Sequence, residues 1–368
     1  MSLVNETFKG VALENPTRAL PSTRKPLKRL DLNFMAFFIG LVRIGGVYVN
    51  WENPKVYAVK HKNLDTRMAS RSGGIFTALS DYFLDDGGIV YGCVLRDDLT
   101  AGHFRAESKH ERNLMRGSKY IQSDMGDTFK NVKKDLDSGR KVLFSGTSCQ
   151  VKGLKAFLGK EYDNLFCIDI VCHGVPSLAV WKSYLEWQEK RNNGKCISAD
   201  FRNKKDYGWD SHVETLEIKD KNGNVKKIDS EVFKTIYYTH CALRPACYHC
   251  PYKSVMHPGD ISIADYWGID KAAPGFNDNK GVSLVLVNND TAEEIFNKVS
   301  GEIDFQSCRI EDSMTLPLRE PCKIPARRDE FWSDYHKYDF SKVAAKYGGH
   351  GIVPQIKKSI KKLIGKKQ

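Results

Sequence analysis

RKVLFSGTSCQVKGLKAFLGKEYDNLFCIDIVCHGVPS, residues 140–177, decides how the chain is read. Val142, Leu143 and Phe144 form an apolar run that ends at Ser145, Gly146 and Thr147. Val151, Leu154, Phe157 and Leu158 then recur at helical spacing, and a second apolar run covers Leu165 to Val171. The pattern predicts a βαβ unit, whose crossover makes the two strands parallel. If they are neighbours, their C-terminal ends share one sheet edge, where α/β proteins build their sites. Cys149, just past the first strand, and Cys172, ending the second, then meet. A cysteine at a helix start also favours the thiolate, because free N–H groups and the dipole point at it.

Downstream, HCALRPACYHCPY (residues 240–252) sets Cys247 and Cys250 in a C-x2-C followed by Pro251. Two thiolates at that spacing hold one metal ion or one edge of an iron-sulfur cluster, and a proline after the last cysteine recurs in ferredoxin loops. One C-x2-C alone says little. Joined to the pair on the βαβ edge, it brings the number of cysteines to the four that a 4Fe-4S cluster or a structural zinc requires.

SGTSCQVKGL, IDIVCHGVPS, LRPACYHCPY and PGDISIADYWGI, in this order, with SRSGGIFTAL and RGSKYIQSD upstream, resemble the coenzyme F420 hydrogenase/dehydrogenase beta-subunit family over roughly residues 56 to 332. The resemblance implies an iron-sulfur flavoprotein in which FAD passes electrons between a 4Fe-4S cluster and a second substrate. It implies cluster ligands at Cys149, Cys172, Cys247 and Cys250, the same four that the pairing of motifs selects. Many relatives carry a cysteine-rich ferredoxin module at the amino end; here no cysteine precedes Cys93.

Composition narrows the classes. A chain of 368 residues is long enough for two domains and a sizeable core. Ten irregularly spaced cysteines without a secretory signal argue against a disulfide scaffold and for a reducing cytoplasm. The apolar run 35–42, MAFFIGLV, is far shorter than the roughly 20 residues needed to span a bilayer. The net charge of +12 suits an acidic partner such as a ferredoxin, although six lysines of the surplus sit in the last twelve residues. No nucleic-acid motif is present beyond the basic tail.

Residues 1–55, with Pro16, Pro21 and Pro26 among Thr, Ser, Arg and Lys, read as a poorly ordered or divergent segment. From Lys55 the pattern is regular: a strand KVYAVKH, then a helix started by Ser72 with Ile75, Phe76, Leu79 and Phe83 on one face, then a strand GIVYGCVL. Ser72, Gly73 and Gly74 form either a plain cap or a phosphate-binding helix start. In RGSKYIQSD, Lys119 and Tyr120 belong either to a solvated loop or to a pyrophosphate and ring contact. In DISIADYWG, Asp265 and Trp267 stand at a strand end, either as core or flanking a flavin ring. The resemblance implies the flavin pocket for all three motifs. His173 is a candidate catalytic acid, a tuner of the cluster, or the end of a strand. A Cys149–His173 nucleophile is a separate reading that leaves the C-x2-C unexplained.

After Trp181 the pattern turns to mixed α/β, with strands in 197–219, a helix in 231–240 that delivers the C-x2-C, a strand KGVSLVLVN, and a capping box from Thr291 to Glu294. Cys93, Cys167 and Cys196 read as core residues and Cys241 as a spare ligand, while Cys308 and Cys322 receive no role. The tail, Ile356 to Gln368, has one apolar helical face opposite lysines, suited to a membrane surface, to an acidic partner, or to a solvated helix.

The expected fold is α/β: an N-terminal domain (56–180) on a parallel or mixed sheet with βαβ units, a mixed α/β C-terminal domain (181–332) carrying the C-x2-C loop, and a basic tail (333–368). The expected function is a cytoplasmic iron-sulfur flavoenzyme. Ferredoxin or a redox partner subunit is its electron donor, and coenzyme F420 or another small organic molecule exchanges hydride with it. The alternative is a binding or assembly protein stabilised by zinc on the four cysteines.

Overall fold

The computed structural model describes residues 51–351; the MAFFIGLV run and the amphipathic tail lie outside the described residues. The chain runs β1 (Lys55–His61), α1 (Leu64–Ala69), α2 (Ile75–Asp85), β2 (Ile89–Leu95), β3 (Ala101–Ala106), α3 (Lys109–Asn113), β4 (Ser123–Asp124), α4 (Thr128–Asp137), β5 (Val142–Thr147), α5 (Ser148–Leu158) and β6 (Leu165–Ile170). It continues with α6 (Leu178–Asn192), β7 (Gly194–Asp200), α7 (Lys204–Tyr207), β8 (Glu214–Asp220), β9 (Val225–Ser230) and α8 (Val232–Tyr238). Three further strands, β10 (Ile261–Asp265), β11 (Ser283–Val287) and β12 (Ile303–Cys308), rejoin the first set.

One sheet has the order β12-β1-β11-β10-β6-β5-β2-β3-β4, and β7-β8-β9 form a second, antiparallel sheet. The middle of the large sheet, β10-β6-β5-β2, is parallel and is flanked by antiparallel pairs, so the sheet is mixed. The fold is α/β, with the expected βαβ unit at its centre. The large sheet draws its strands from both sides of residue 180.

The apolar runs follow from burial on both faces, as the parallel sheet demands. Along β5, Leu143 packs with Ile75, Leu79 and Phe83 of α2, whereas Val142 and Phe144 pack with Val132 and Leu136 of α4 and Val151 and Leu154 of α5. A second core gathers Trp181 and Tyr184 of α6, Leu216 and Ile218 of β8, and Phe233 and Ile236 of α8. Val343, Ala344 and Tyr347 are buried in it too, so the chain stays packed as far as Tyr347.

Two helix starts differ from expectation. Helix α2 begins at Ile75, after Gly74 in the left-handed region (φ 93°), and Ser72 does not cap it; the Ser72 hydroxyl donates to the Val282 carbonyl at 2.6 Å. The segment is clamped between strands: a Cβ on Gly73 would lie 2.0 Å from the Val59 carbonyl oxygen and 2.6 Å from the Ser283 amide nitrogen. In the helix Asp290–Lys298, the cap is Asn289, whose side chain accepts the Ala292 N–H at 2.8 Å, rather than Thr291. Asparagine fixes this start two residues earlier because its side-chain oxygen reaches the orphan N–H of Ala292.

Candidate functional site

The site lies at the C-terminal edge of the parallel strands. Thr147 of β5 pairs with Ile170 of β6, so Cys149 in the first turn of α5 and Cys172 emerge two residues beyond a paired end of neighbouring strands. The Gln150 side chain accepts the Thr147 N–H at 2.9 Å and fixes that helix start. The loop after β6 is zipped to the loop after α8: the Ser177 N–H donates to the Ala242 carbonyl at 2.8 Å, and the Arg244 N–H to the Val175 carbonyl at 2.9 Å. This pairing carries Cys247 to Cys172, and the Val175 N–H donates to the Cys247 sulfur at 3.4 Å. Cys250 follows past the single turn Pro245–His249.

All four thiols are free. Burial pushes Cys172 up to about 12, with Cys247 and Cys149 adding to the rise. Cys247 is likewise raised by burial, and Cys149 and Cys250 are among the groups that raise it. Thiols raised in this way keep their protons at neutral pH. The Lys253 ammonium donates to the Cys172 carbonyl and partly offsets the rise at Cys172. Among the described residues no three of these sulfurs come within 4.8 Å of one another. Tetrahedral zinc would hold them about 3.8 Å apart. A four-iron cluster, which puts one iron under each sulfur, spaces them more widely.

Beside the thiols opens a cavity of about 610 Å³, and Cys149 and Cys172 belong to its wall. Ser72, Gly74, Lys119, Tyr120, His173, Asp265 and Trp267 also line it. Its wall carries Arg71, Arg116, Arg202, Arg244 and Lys119 against one carboxylate, Asp265, so positive charge predominates on it. That carboxylate is shared: it accepts Arg202 Nη1 at 3.0 Å and Trp209 Nε1 at 3.0 Å, and lies 3.4 Å from Arg71 Nε. Arg71 is buried, which lowers its pKa; its Nη2 donates to the Trp209 carbonyl, and its Nη1 has no hydrogen-bond partner among the described residues. Trp267 stacks on Trp209 with centroids 5.0 Å apart and keeps 40% of its surface exposed.

Several residues occupy places that sequence alone does not give. Gly73 and the C-x2-C pair are not on the cavity wall, and Gly73 serves the close approach of β1 and β11. Lys119 is spent on the end of α3, donating to the carbonyls of Leu114, Met115 and Arg116 at 3.2, 3.0 and 2.8 Å; burial lowers its pKa to about 8. Burial holds His173 down at about 4, so at neutral pH it is an uncharged imidazole, with Nε2 only 2.7 Å from His240 Nε2. Cys93 lines the cavity, whereas Cys167 and Cys196 are core residues as expected. Cys241 is buried in the second core rather than held as a spare ligand. Sequence reasoning missed Arg71 and Arg202, although Arg71 sits inside SRSGG. It missed Cys322 because no nearby spacing marks it.

A hydrogen-bonded chain backs the cavity wall. Gln150 Nε2 donates to Ser123 Oγ at 2.8 Å, Ser123 Oγ lies 3.0 Å from His103 Nδ1, and His103 Nε2 lies 3.0 Å from the Ser145 carbonyl. The carbonyl can only accept, so Nε2 carries the ring proton and Nδ1 accepts from the serine. Burial lowers His103 from 6.5 to about 4. Between those values the unfolded chain binds a proton that the folded one does not, so the stability this group contributes is present above pH 6.5 and lost as pH falls toward 4. The expected loss is about 3 kcal/mol across that window. Urea unfolding at pH 7 and pH 5 should give a lower midpoint in acid, and His103→Gln should flatten the difference; an equal slope in the variant would show that the ring does not titrate there.

Among the described residues, no helix is long and apolar enough to cross a membrane. Comparison with known proteins bears on the same part of the chain. No curated protein matches it. Twelve chains of solved structures match. One belongs to the xenon-derivatised F420-reducing NiFe hydrogenase complex from Methanosarcina barkeri, 19% identical, with 72% of this chain and 84% of that chain covered at a TM-score of 0.45. The model of a family described as the C terminus of the coenzyme F420 hydrogenase/dehydrogenase beta subunit matches residues 139–312, which contain all four cysteines and the strand β10. Over this segment the chain is similar to the coenzyme F420 hydrogenase/dehydrogenase beta-subunit family.

Proposed function

We propose that this protein is an oxidoreductase that holds a 4Fe-4S cluster on Cys149, Cys172, Cys247 and Cys250 and FAD in the adjoining cavity. The observation that carries the reading is the shared wall: Cys149 and Cys172 belong both to the thiol group and to the lining of a cation-rich cavity. A cavity of about 610 Å³ suits a cofactor-sized ligand. The free Nη1 of buried Arg71 supports an anionic group such as a pyrophosphate, since guanidinium pairs well with phosphate oxygens. The exposed part of Trp267, with Tyr120 and Tyr238 also on the wall, offers aromatic faces for a planar ring.

Bound flavin supplies the exchange between one-electron and two-electron chemistry. The chain's own residues hold, orient and shield: Asp265 fixes Arg71 and Arg202, Lys253 offsets negative charge beside Cys172, and the cavity wall limits water. Segment 56–180 contributes Ser72, Gly74, Lys119 and Tyr120 of the cavity wall and the first two cysteines, and segment 181–332 contributes Arg202, Asp265 and Trp267 of that wall and the C-x2-C. Ferredoxin or a redox partner subunit would deliver electrons, and coenzyme F420 or another organic hydride acceptor would take them, or the flow would run in reverse. Cytoplasmic work among reduced thiols is consistent with ten free cysteines.

Absorption spectra of protein purified without oxygen, with iron, sulfide, zinc and flavin assayed on the same sample, test the reading. The expected result is about four irons and one FAD per chain. Colourless protein with about one zinc on these cysteines and no flavin would replace it with a zinc-stabilised binding or assembly protein.

A further inference from the structure

Behind the cysteine group three ligating atoms from distant parts of the chain converge. His173 Nε2 and His240 Nε2 lie 2.7 Å apart, and Cys322 Sγ lies 3.7 Å from the first and 3.9 Å from the second. All three atoms fall within 4.8 Å of one another, and among the described residues no other trio of His, Cys, Asp or Glu does so. They come from the loop after β6, the residue after α8's last turn, and an irregular stretch beyond β12. Cys322 is 4% exposed. His240 takes a left-handed backbone (φ 62°), uncommon for a residue with a side chain, and its carbonyl accepts the Tyr248 hydroxyl at 2.6 Å, which is held in turn by Arg328 at 3.1 Å.

We infer that His173, His240 and Cys322 form a binding site for a zinc-class divalent cation, separate from the four cysteines. Two neutral imidazoles and a thiolate are the ligand set that borderline-soft cations prefer. Tetrahedral zinc sets its sulfur and nitrogen ligands about 3.6 Å apart and two nitrogens about 3.3 Å apart. The sulfur distances already fit; the two rings open by about 0.6 Å as the ring that donates between them shifts its proton from Nε2 to Nδ1 by exchange with solvent, which leaves both Nε2 lone pairs for the metal. The Cys322 thiol, which lies 3.3 Å from the His173 carbonyl, loses its proton to solvent in the same step. The thiolate charge also offsets Lys253, the cation that acts on all three groups. Three protein ligands leave one coordination position, and His173 is the ligand that also lines the cavity, the side from which a water molecule would complete the tetrahedron.

The full-length protein, purified without oxygen, is dialysed against excess zinc, then against buffer, and assayed for zinc and iron by mass spectrometry. The expected result is a wild-type zinc content that drops by about one per chain in both Cys322→Ser and His240→Gln, with iron unchanged. Circular dichroism checks that each variant is folded; glutamine keeps the ring's bulk and polarity without its ligating nitrogen. Wild-type protein that retains no zinc overturns the site, as does either folded variant that retains it in full. Loss of iron from Cys322→Ser also overturns it, by making Cys322 a ligand of the cluster. Because the readout is a difference in zinc, a chain found to hold no iron at all leaves this test intact.

Discussion

The Cys172→Ser protein is expected to lose nearly all its iron, from about four atoms per chain to fewer than about one, while remaining folded. Cys172 stands at the meeting point of the two halves of the thiol group: Cys149 and Cys247 both act on it, and its carbonyl receives the Lys253 ammonium. Removing that one sulfur leaves the βαβ pair with Cys149 alone and the set one ligand short, a gap that serine's harder, less acidic hydroxyl fills poorly. The fold should survive, because Cys172 is only partly buried and belongs to none of the apolar cores. Cys308→Ser, on the distant edge strand β12, is the control and should keep its iron. Iron and sulfide assays with a visible spectrum on both variants decide the matter. Unchanged iron in Cys172→Ser would sink the assignment of the cluster to these four cysteines.

How far the sequence reached depends on how local each interaction is. The βαβ unit was legible because both its strands are buried on two faces and so read as largely apolar runs, interrupted in β6 only by the buried Asp169, and because parallel neighbours fix which ends meet. The C-x2-C was legible from spacing alone. Its approach to Cys172 was not, since it depends on backbone bonds between residues 175–177 and 242–244, and these impose no side-chain pattern. Ser72 illustrates the opposite failure: a serine before two glycines satisfies the capping rule, yet Gly73 is drawn between β1 and β11 so tightly that the hydroxyl turns to Val282 instead. Lys119 attracts notice by its charge, and the structure spends that charge on three carbonyls closing α3. Arg71, Arg202 and Asp265 are far apart in sequence, and each alone resembles an ordinary surface charge. Cys322 and His240 are silent for the same reason: 82 residues separate two groups whose meeting gives them meaning.

Asp265→Ala is expected to lower the unfolding free energy by about 3–5 kcal/mol, more than any other single change on the cavity wall. The side chains of Arg71, Arg202 and Asp265 are 9%, 4% and 11% exposed, so two guanidinium groups depend chiefly on one carboxylate for charge balance out of water, with Asp200 a further acid that acts on Arg71. Alanine removes that balance and also strands the Trp209 indole N–H. Asp265→Asn should cost less, since its amide oxygen still accepts from Trp209 or Arg202 and only the charge is lost. Adding Arg71→Met to Asp265→Ala should recover part of the loss, because one of the two orphaned cations goes with it; a purely steric effect would instead make the two changes add. Urea unfolding of the four proteins measures these differences, and a loss below about 1 kcal/mol in Asp265→Ala would mean that water already reaches the arginines. The same variants separate folding from binding. In Asp265→Asn, a folded protein whose Arg71 is no longer held through Nε should retain less flavin, as a positioning role requires. Full flavin occupancy there would assign the carboxylate to stability alone and return the burden of anion binding to Arg116 and Arg244.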